Sequence, residues 1–241
     1  MQRLTRPAEL VDATNGDPIV RHLLPHVVPG GPLLALDGAV LFVYDYWDGH
    51  GAQLVGPASL AAALLNGAST ELPTDYVAIP EDALPLLTVA VAPETPWRFR
   101  WTQTRPPAPT LAGSWLPKSA DAEVEAMLAL SFPDASARPG NRHARRWAGI
   151  RDADGALIAC AADCTESDIG FMASVASDVR LRRSGLGQAM TTWMTHALLD
   201  EHPIVALWQY SDNAAASGLY DKLGFHDDHR YIACVLTRER A

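Results

Sequence analysis

The segment Val175-Ala176-Ser177-Asp178-Val179-Arg180-Leu181-Arg182-Arg183-Ser184-Gly185-Leu186-Gly187-Gln188 constrains this chain more than any other. It packs the end of an apolar strand, a loop of the form R-x-x-G-x-G and the start of a helix into one stretch. Glycines let successive backbone N–H groups approach an anion closely, and a helix N-terminus adds partial positive charge. The guest that suits such a loop is a pyrophosphate. Taken alone the pattern is weak, because chance turns and a plain helix start produce it too.

Its surroundings have the rhythm of a mixed α/β domain. Upstream, Ser119-Ala120-Asp121 opens a helix that Val124, Met127 and Leu128 continue. Arg146–Arg151 and Ala156–Ala162 then flank Asp154-Gly155, a strong hairpin signal, and a strand runs from Ile169 to Ser177. Downstream, Leu186, Met190, Trp193, Met194, Ala197 and Leu198 mark one face of a helix. A strand Ile204–Tyr210, a helix over 213–223 closed by Gly224, and a strand Tyr231–Leu236 complete the order α-β-β-β-α-β-α-β. The first half reads differently, with turn-rich sequence around Pro29-Gly30-Gly31-Pro32, a strand Ala39–Tyr44 and a helix Ser59–Leu65. Strands are expected at Leu86–Val91 and Trp97–Thr104, and Arg105-Pro106-Pro107-Ala108-Pro109 reads as a linker. The expectation is a small α+β domain over 1–109 and an α/β domain over 110–241. No internal repeat is evident in the sequence.

Composition excludes several classes. With 48% hydrophobic and 20% charged residues the chain can bury a real core, which excludes long disorder and collagen-like repetition. No run approaches the roughly 18 apolar residues of a membrane span. The residues from Met1 to Glu9 lack the apolar core of a secretion signal, so the expected location is the cytoplasm. The net charge of −9 disfavours a nucleic-acid partner, which calls for a basic stripe. The three cysteines, Cys160, Cys164 and Cys234, argue against a disulfide framework. Four residues of strand would hold the first two about 13 Å apart. They read as buried structural thiols.

A second segment gives the glycine loop its meaning: Asn213-Ala214-Ala215-Ala216-Ser217-Gly218-Leu219-Tyr220-Asp221-Lys222-Leu223-Gly224-Phe225. R-x-x-G-x-G entering a helix, followed by N-x-x-A-x-x-L-Y-x-x-L-G-F one helix and one strand later, resembles the GCN5-related N-acetyltransferase (GNAT) superfamily. The likeness spans roughly residues 111–241. Gly170-Phe171-Met172-Ala173-Ser174-Val175-Ala176-Ser177 and Trp147-Ala148-Gly149-Ile150-Arg151 look like its FR47-like branch, which includes glycine N-acyltransferase-like proteins with a smaller amino-terminal domain.

The resemblance implies a GNAT fold in the second half and acetyl-CoA as co-substrate, with no metal. In this family a bulge splays the strand before the glycine loop from the next strand, and the pantetheine arm lies in the gap. Backbone groups of Val175, Ala176 and Ser177 would bond that arm and polarise the thioester carbonyl. Arg182, Arg183, Ser184, Gly185, Leu186, Gly187 and Gln188 would cradle the pyrophosphate, Arg182 by charge. Asn213 would contact the cofactor arm, although a helix cap is its plain alternative. Tyr220, two helical turns on, would protonate the departing thiolate; otherwise it is a core tyrosine.

The chain departs from a common family pattern in lacking a carboxylate on Ile204–Tyr210. Asp178, Glu166, Asp168 and Asp212 are candidate bases and none stands out. An α-amine with a pKa of about 7.7–8.0 is partly neutral already, so a base is not demanded. His226-Asp227-Asp228-His229 has metal-ligand spacing but reads as a solvated loop, and Arg142-His143-Ala144-Arg145-Arg146 as a solvated turn. The first half shows no R-x-x-G-x-G, so as a degenerate GNAT-like half it has lost the phosphate loop; it would shape the acceptor site or form a homodimer contact. The expected reaction is acetyl transfer to a primary amine of a small molecule such as an amino acid. The alternatives are an acyl-CoA-binding regulatory module without turnover and a peptide or protein N-acetyltransferase.

Overall fold

A computed structural model describes residues 1–46 and 49–237. The chain divides into two units that are not continuous in sequence. The first takes residues 1–99, 209–214 and the chain from 227 onward, and the second takes 100–208 and 215–226. The Pro-rich stretch therefore lies inside the second unit instead of separating two domains. It is held there because Pro106 C=O pairs with His196 Nε2 at 2.8 Å and Arg105 forms an ion pair with Asp200. The last strand joins the first unit through an antiparallel ladder, Tyr231↔Pro80 to Val235↔Tyr76.

In the first unit the elements are β1 (Gln2–Arg3), α1 (Ala8–Ala13), α2 (Pro18–Leu23), β2 (Leu33–Leu36), β3 (Ala39–Tyr46), β4 (Gly49–Val55), α3 (Ala58–Ala68) and β5 (Tyr76–Pro80). Strand β6 (Val91–Thr102) begins here. The strand expected at Leu86–Val91 does not form: Leu86 ends a 3-10 turn over 81–86, residues 87–90 are irregular, and β6 begins only at Val91. In the second unit follow β7 (Ser114–Trp115), α4 (Asp121–Ser131), β8 (Arg146–Arg151), β9 (Leu157–Asp163), β10 (Ile169–Ser177), α5 (Leu186–Leu199), β11 (Ile204–Tyr210) and α6 (Ala214–Lys222). Strand β12 (His226–Leu236) ends the described chain. No described helix is long and apolar enough to cross a membrane.

The two units repeat one topology. In the first, β1, β2, β3 and β4 pair antiparallel in order and β4 pairs parallel with β5, with α3 as the crossover. In the second, β7, β8, β9 and β10 pair antiparallel in order and β10 pairs parallel with β11, with α5 as the crossover. Each crossover helix packs its apolar face on its own sheet. Ala61, Leu64, Leu65 and Ala68 of α3 join Leu41, Leu54 and Ile79 in one core. Leu186, Met190, Met194 and Leu198 of α5 join Ile150, Met172, Val205 and Leu207 in the other. All three cysteines are buried and unbridged, and burial pushes the Cys160 thiol up to about 12.

Residues His226–His229 are part of β12, where a solvated loop was the expectation. His229 is half-buried between two carboxylates, with Nε2 at 2.9 Å from Asp17, the N-cap of α2, and Nδ1 at 2.8 Å from Asp228. Burial alone disfavours the charged imidazole, yet bonds to Asp17 and Asp228 outweigh it and bring its pKa from 6.5 to about 9. A raised pKa means the stabilisation is complete below about pH 6.5 and is lost as the pH rises through 9. We therefore expect the melting temperature to fall between pH 6.5 and 9.5. In His229→Gln that slope should flatten, and an unchanged slope would remove His229 as its source.

Candidate functional site

The second unit contains a strand pair that starts together and then parts. Strands β10 and β11 are in register only at Ile169↔Ile204, Gly170↔Val205 and Phe171↔Ala206. Beyond Phe171, β10 carries one extra residue: Ala173 opposes Ala162, but Ala176 already opposes Cys160. This bulge is centred on Ser174, whose φ of 51° lies in the left-handed region that side chains seldom adopt. The Ser174 hydroxyl donates to Ala137 C=O at 3.0 Å and accepts from Ala137 N–H at 2.9 Å. Past the bulge, Asp178 N–H bonds Ile158 C=O on β9 at 2.9 Å. Strand alternation then turns the Ala176 N–H towards β9 as well, and turns those of Val175 and Ser177 away from it, to the side that β11 leaves. Val175 and Ser177 are half-exposed and Ala176 is buried.

The strand runs directly into the glycine loop. Asp178 caps a 3-10 turn over Val179–Leu181, accepting from Arg180 N–H at 2.8 Å and pairing with its guanidinium at 2.5 Å. These bonds hold the Asp178 carboxyl down at about 2. Ser184 Oγ donates to Leu181 C=O at 2.6 Å. Arg183 and Gly185 both have positive φ, 65° and 82°, and Gly185 starts α5 with no side-chain cap. The first helical bond is Ala189 N–H to Gly185 C=O at 2.9 Å, so the N–H groups of Leu186, Gly187 and Gln188 have no helical partner. A Cβ built on Gly185 or Gly187 would meet nothing within 4 Å. Leu186 is buried and anchors the turn, while Arg182 and Arg183 are exposed and pair with no described residue. Open space, three unmet donors and a helix dipole are the features that an anion site requires.

The same junction in the first unit has no such loop. Only Gly56 and Pro57 connect β4 to α3, and a Cβ on Gly56 would lie 2.6 Å from Gly38 C=O.

Tyr220 lies on α6, buried among Leu223 and Phe225, its ring 5.7 Å from that of Phe225. Burial pushes its phenol up to about 12, and the buried Arg100 pulls in the opposite direction. Arg100 bonds Asp221, the next residue of α6, at 2.6 Å. The Tyr220 hydroxyl has no hydrogen bond to a described residue. Asn213 occupies the turn before α6, its N–H on Tyr210 C=O and its C=O accepting from Gln209 Nε2. That turn belongs to the segment 209–214, which groups with the first unit.

Of the candidate bases, Asp178 is committed to Arg180, and Glu166 pairs with buried His143 at 2.5 Å. Asp168 is exposed at the opposite end of β10, about 20 Å of strand from the bulge. Asp212 is exposed in the turn before α6. In the basic run 142–146, Arg142 and Arg145 are exposed as expected of a solvated turn, while His143 is buried and Arg146 ties the segment to its neighbours. Arg142 Nε donates to His143 Nε2, and Arg146 bridges buried Asp163 and Glu201 while stacking on Trp115. No cluster of three metal-ligating side chains occurs among the described residues. Sequence reasoning missed Ser174, whose only signal was a polar residue inside a mostly apolar strand that Ser177 ends.

A site built on unmet helix N–H groups makes a two-sided prediction. Gly187→Ala should raise stability by about 0.5–1 kcal/mol, since Ala is the better helix former. The same change should weaken binding of inorganic pyrophosphate at least about tenfold by filling the space over the loop. Thermal melting and calorimetric titration measure the two effects; equal pyrophosphate affinity in both proteins would refute the site.

Residues 148–233 match the family model of FR47-like proteins. No curated protein matches. Among solved structures, a GCN5-related N-acetyltransferase from Kribbella flavida is 14% identical, with 97% of this chain and 96% of that one covered at a TM-score of 0.59. One from Sphaerobacter thermophilus is 15% identical, covering 96% and 93% with a TM-score of 0.59. A tandem GNAT protein from the clavulanic acid biosynthesis pathway is 12% identical, covering 99% and 98% with a TM-score of 0.53. Residues 148–233 are thus similar to FR47-like proteins, and the chain as a whole shares the fold of these GCN5-related N-acetyltransferases.

Proposed function

We propose that the protein transfers an acetyl group from acetyl-CoA to a primary amine of a small molecule, such as an amino acid, in the cytoplasm. The observation that carries this reading is the continuity of the parted strand β10 with the open glycine loop before α5. An acyl donor with a pyrophosphate at one end and a thioester at the other suits both. The pyrophosphate would take the N–H groups of Leu186, Gly187 and Gln188, with Arg182, Arg183, Ser184 and Gly185 around it. The pantetheine arm would pair with Val175 and Ser177, the two residues whose backbone groups face away from β9; Ala176 contributes by keeping the strand seated. Asn213 is proposed to contact the arm.

In the reaction the amine nitrogen forms a bond to the thioester carbon, and the backbone N–H groups of β10 stabilise the oxyanion that develops. The carbon–sulfur bond breaks, and the Tyr220 hydroxyl gives its proton to the sulfur. The proton lost by the attacking nitrogen goes to solvent and the phenol is reprotonated from it, so the products are an amide and a free thiol. A phenol near 12 remains protonated throughout the physiological range. Binding both reactants in one gap supplies proximity. The amine enters as its neutral fraction, which suits a site without a committed carboxylate base.

A second reading, an acyl-CoA-binding module without turnover, is favoured by the absence of a carboxylate from β11. Thiol release from acetyl-CoA with a panel of free amines and peptides decides between them. The transferase reading expects release with at least one free amine. Tyr220→Phe should lower kcat by about 100-fold or more with acetyl-CoA affinity nearly unchanged. Tight binding without release on any amine would establish the module, and release with peptides alone would move the acceptor to proteins.

A further inference from the structure

We propose that Ser174 is a positioning residue for the transfer, holding the β10 bulge in the form that aims Val175 and Ser177 at the donor. The inference rests on the transferase reading for its consequence and on geometry for its substance. Ser174 is buried at 6% exposure, and its hydroxyl both donates to and accepts from the backbone of one residue, Ala137, 37 positions away. Ala137 is wholly buried in an irregular segment, so its N–H and C=O require partners that no ladder supplies. One side chain satisfies both. In exchange, the segment fixes Ser174 at a φ of 51°, a conformation that a serine in a free strand would leave.

The same segment grips the strand a second time. Ser131, at the end of α4, accepts a hydrogen bond from Val179 N–H at 3.2 Å. Residues 131–137 thus bracket β10 on both sides of Val175–Ser177, at Ser174 before them and at Val179 after them. Loss of the Ser174 hydroxyl frees the first grip. The extra residue can then migrate along the strand, and a shift of one position exchanges inward for outward N–H groups.

Two variants separate the hydroxyl from the backbone. Ser174→Ala removes the hydroxyl and keeps a Cβ in the left-handed region; Ser174→Gly removes the hydroxyl and relieves that conformation. We expect both to lose about 100-fold in kcat with acetyl-CoA, since small misplacements of a reacting group cost that much. Affinity for CoA, held mainly through the glycine loop, should stay within about threefold. The infrared carbonyl stretch of bound acetyl-CoA should move towards its free value in both. Hydrogen exchange at Ala137 N–H should quicken at least about tenfold, with α5 unaffected.

Wild-type turnover in Ser174→Gly would overturn the proposal, leaving only a tolerated backbone conformation. Unchanged exchange at Ala137 in both variants would overturn it as well. Should the wild type bind acetyl-CoA yet acetylate nothing, the transferase reading fails, and the carbonyl stretch and exchange still decide whether Ser174 positions the donor.

Discussion

One extra residue in β10 is the constraint on which the second unit depends. Without it, β10 and β11 would continue as a parallel ladder beyond Phe171 and Ala206, and their backbone groups would satisfy each other. With it, the strands part, and the backbone N–H groups of Val175 and Ser177 face away from β9. The cost is a serine in a left-handed conformation, offset by two hydrogen bonds to Ala137. Everything downstream follows in sequence: the Asp178 cap that ends the strand, the left-handed residues Arg183 and Gly185, and the unmet N–H groups of α5.

The first unit shows what the same topology does without that device. Its β4, α3 and β5 repeat the strand–helix–strand arrangement, but a two-residue junction of Gly56 and Pro57 replaces the loop from Asp178 to Gly185. Gly56 is backed by the Gly38 carbonyl, and no glycine-rich loop precedes α3. Electrostatics agree with a single local anion site. Residues 1–109 carry 6 basic and 11 acidic groups, and residues 110–241 carry 13 and 17. Neither half offers a favourable net field, so the phosphates of the proposed donor would have to be held at short range, by oriented N–H groups and by Arg182 and Arg183.

Much of the second unit was legible in the sequence, because its signals are local. Asp154-Gly155 marks a hairpin, the spacing Leu186, Met190, Met194, Leu198 marks a buried helical face, and Gly224 closes α6 at a φ of 78°. The chain's division was not legible. The Pro-rich run looked like a boundary by composition, yet its pairing with His196 and Asp200 depends on residues about 90 positions away. The last strand's partnership with β5 and the clamp of His229 on Asp17 are likewise long-range. The repeat of topology escaped detection because pairing order is preserved by hydrophobic alternation alone, which tolerates nearly complete change of side chains. Ser174 was hidden for a related reason: a bulge is a register relation between two strands, and no single strand displays it.

The central claim is that each chain holds one acyl-donor site, built from the parted β10 and the loop before α5. Calorimetric titration with acetyl-CoA, combined with hydrogen exchange of the same complex, tests it most directly. The account predicts one molecule bound per chain and protection concentrated over residues 175–188. No binding, or a second equivalent with protection spreading to the β4–α3 junction at residues 55–58, would contradict it.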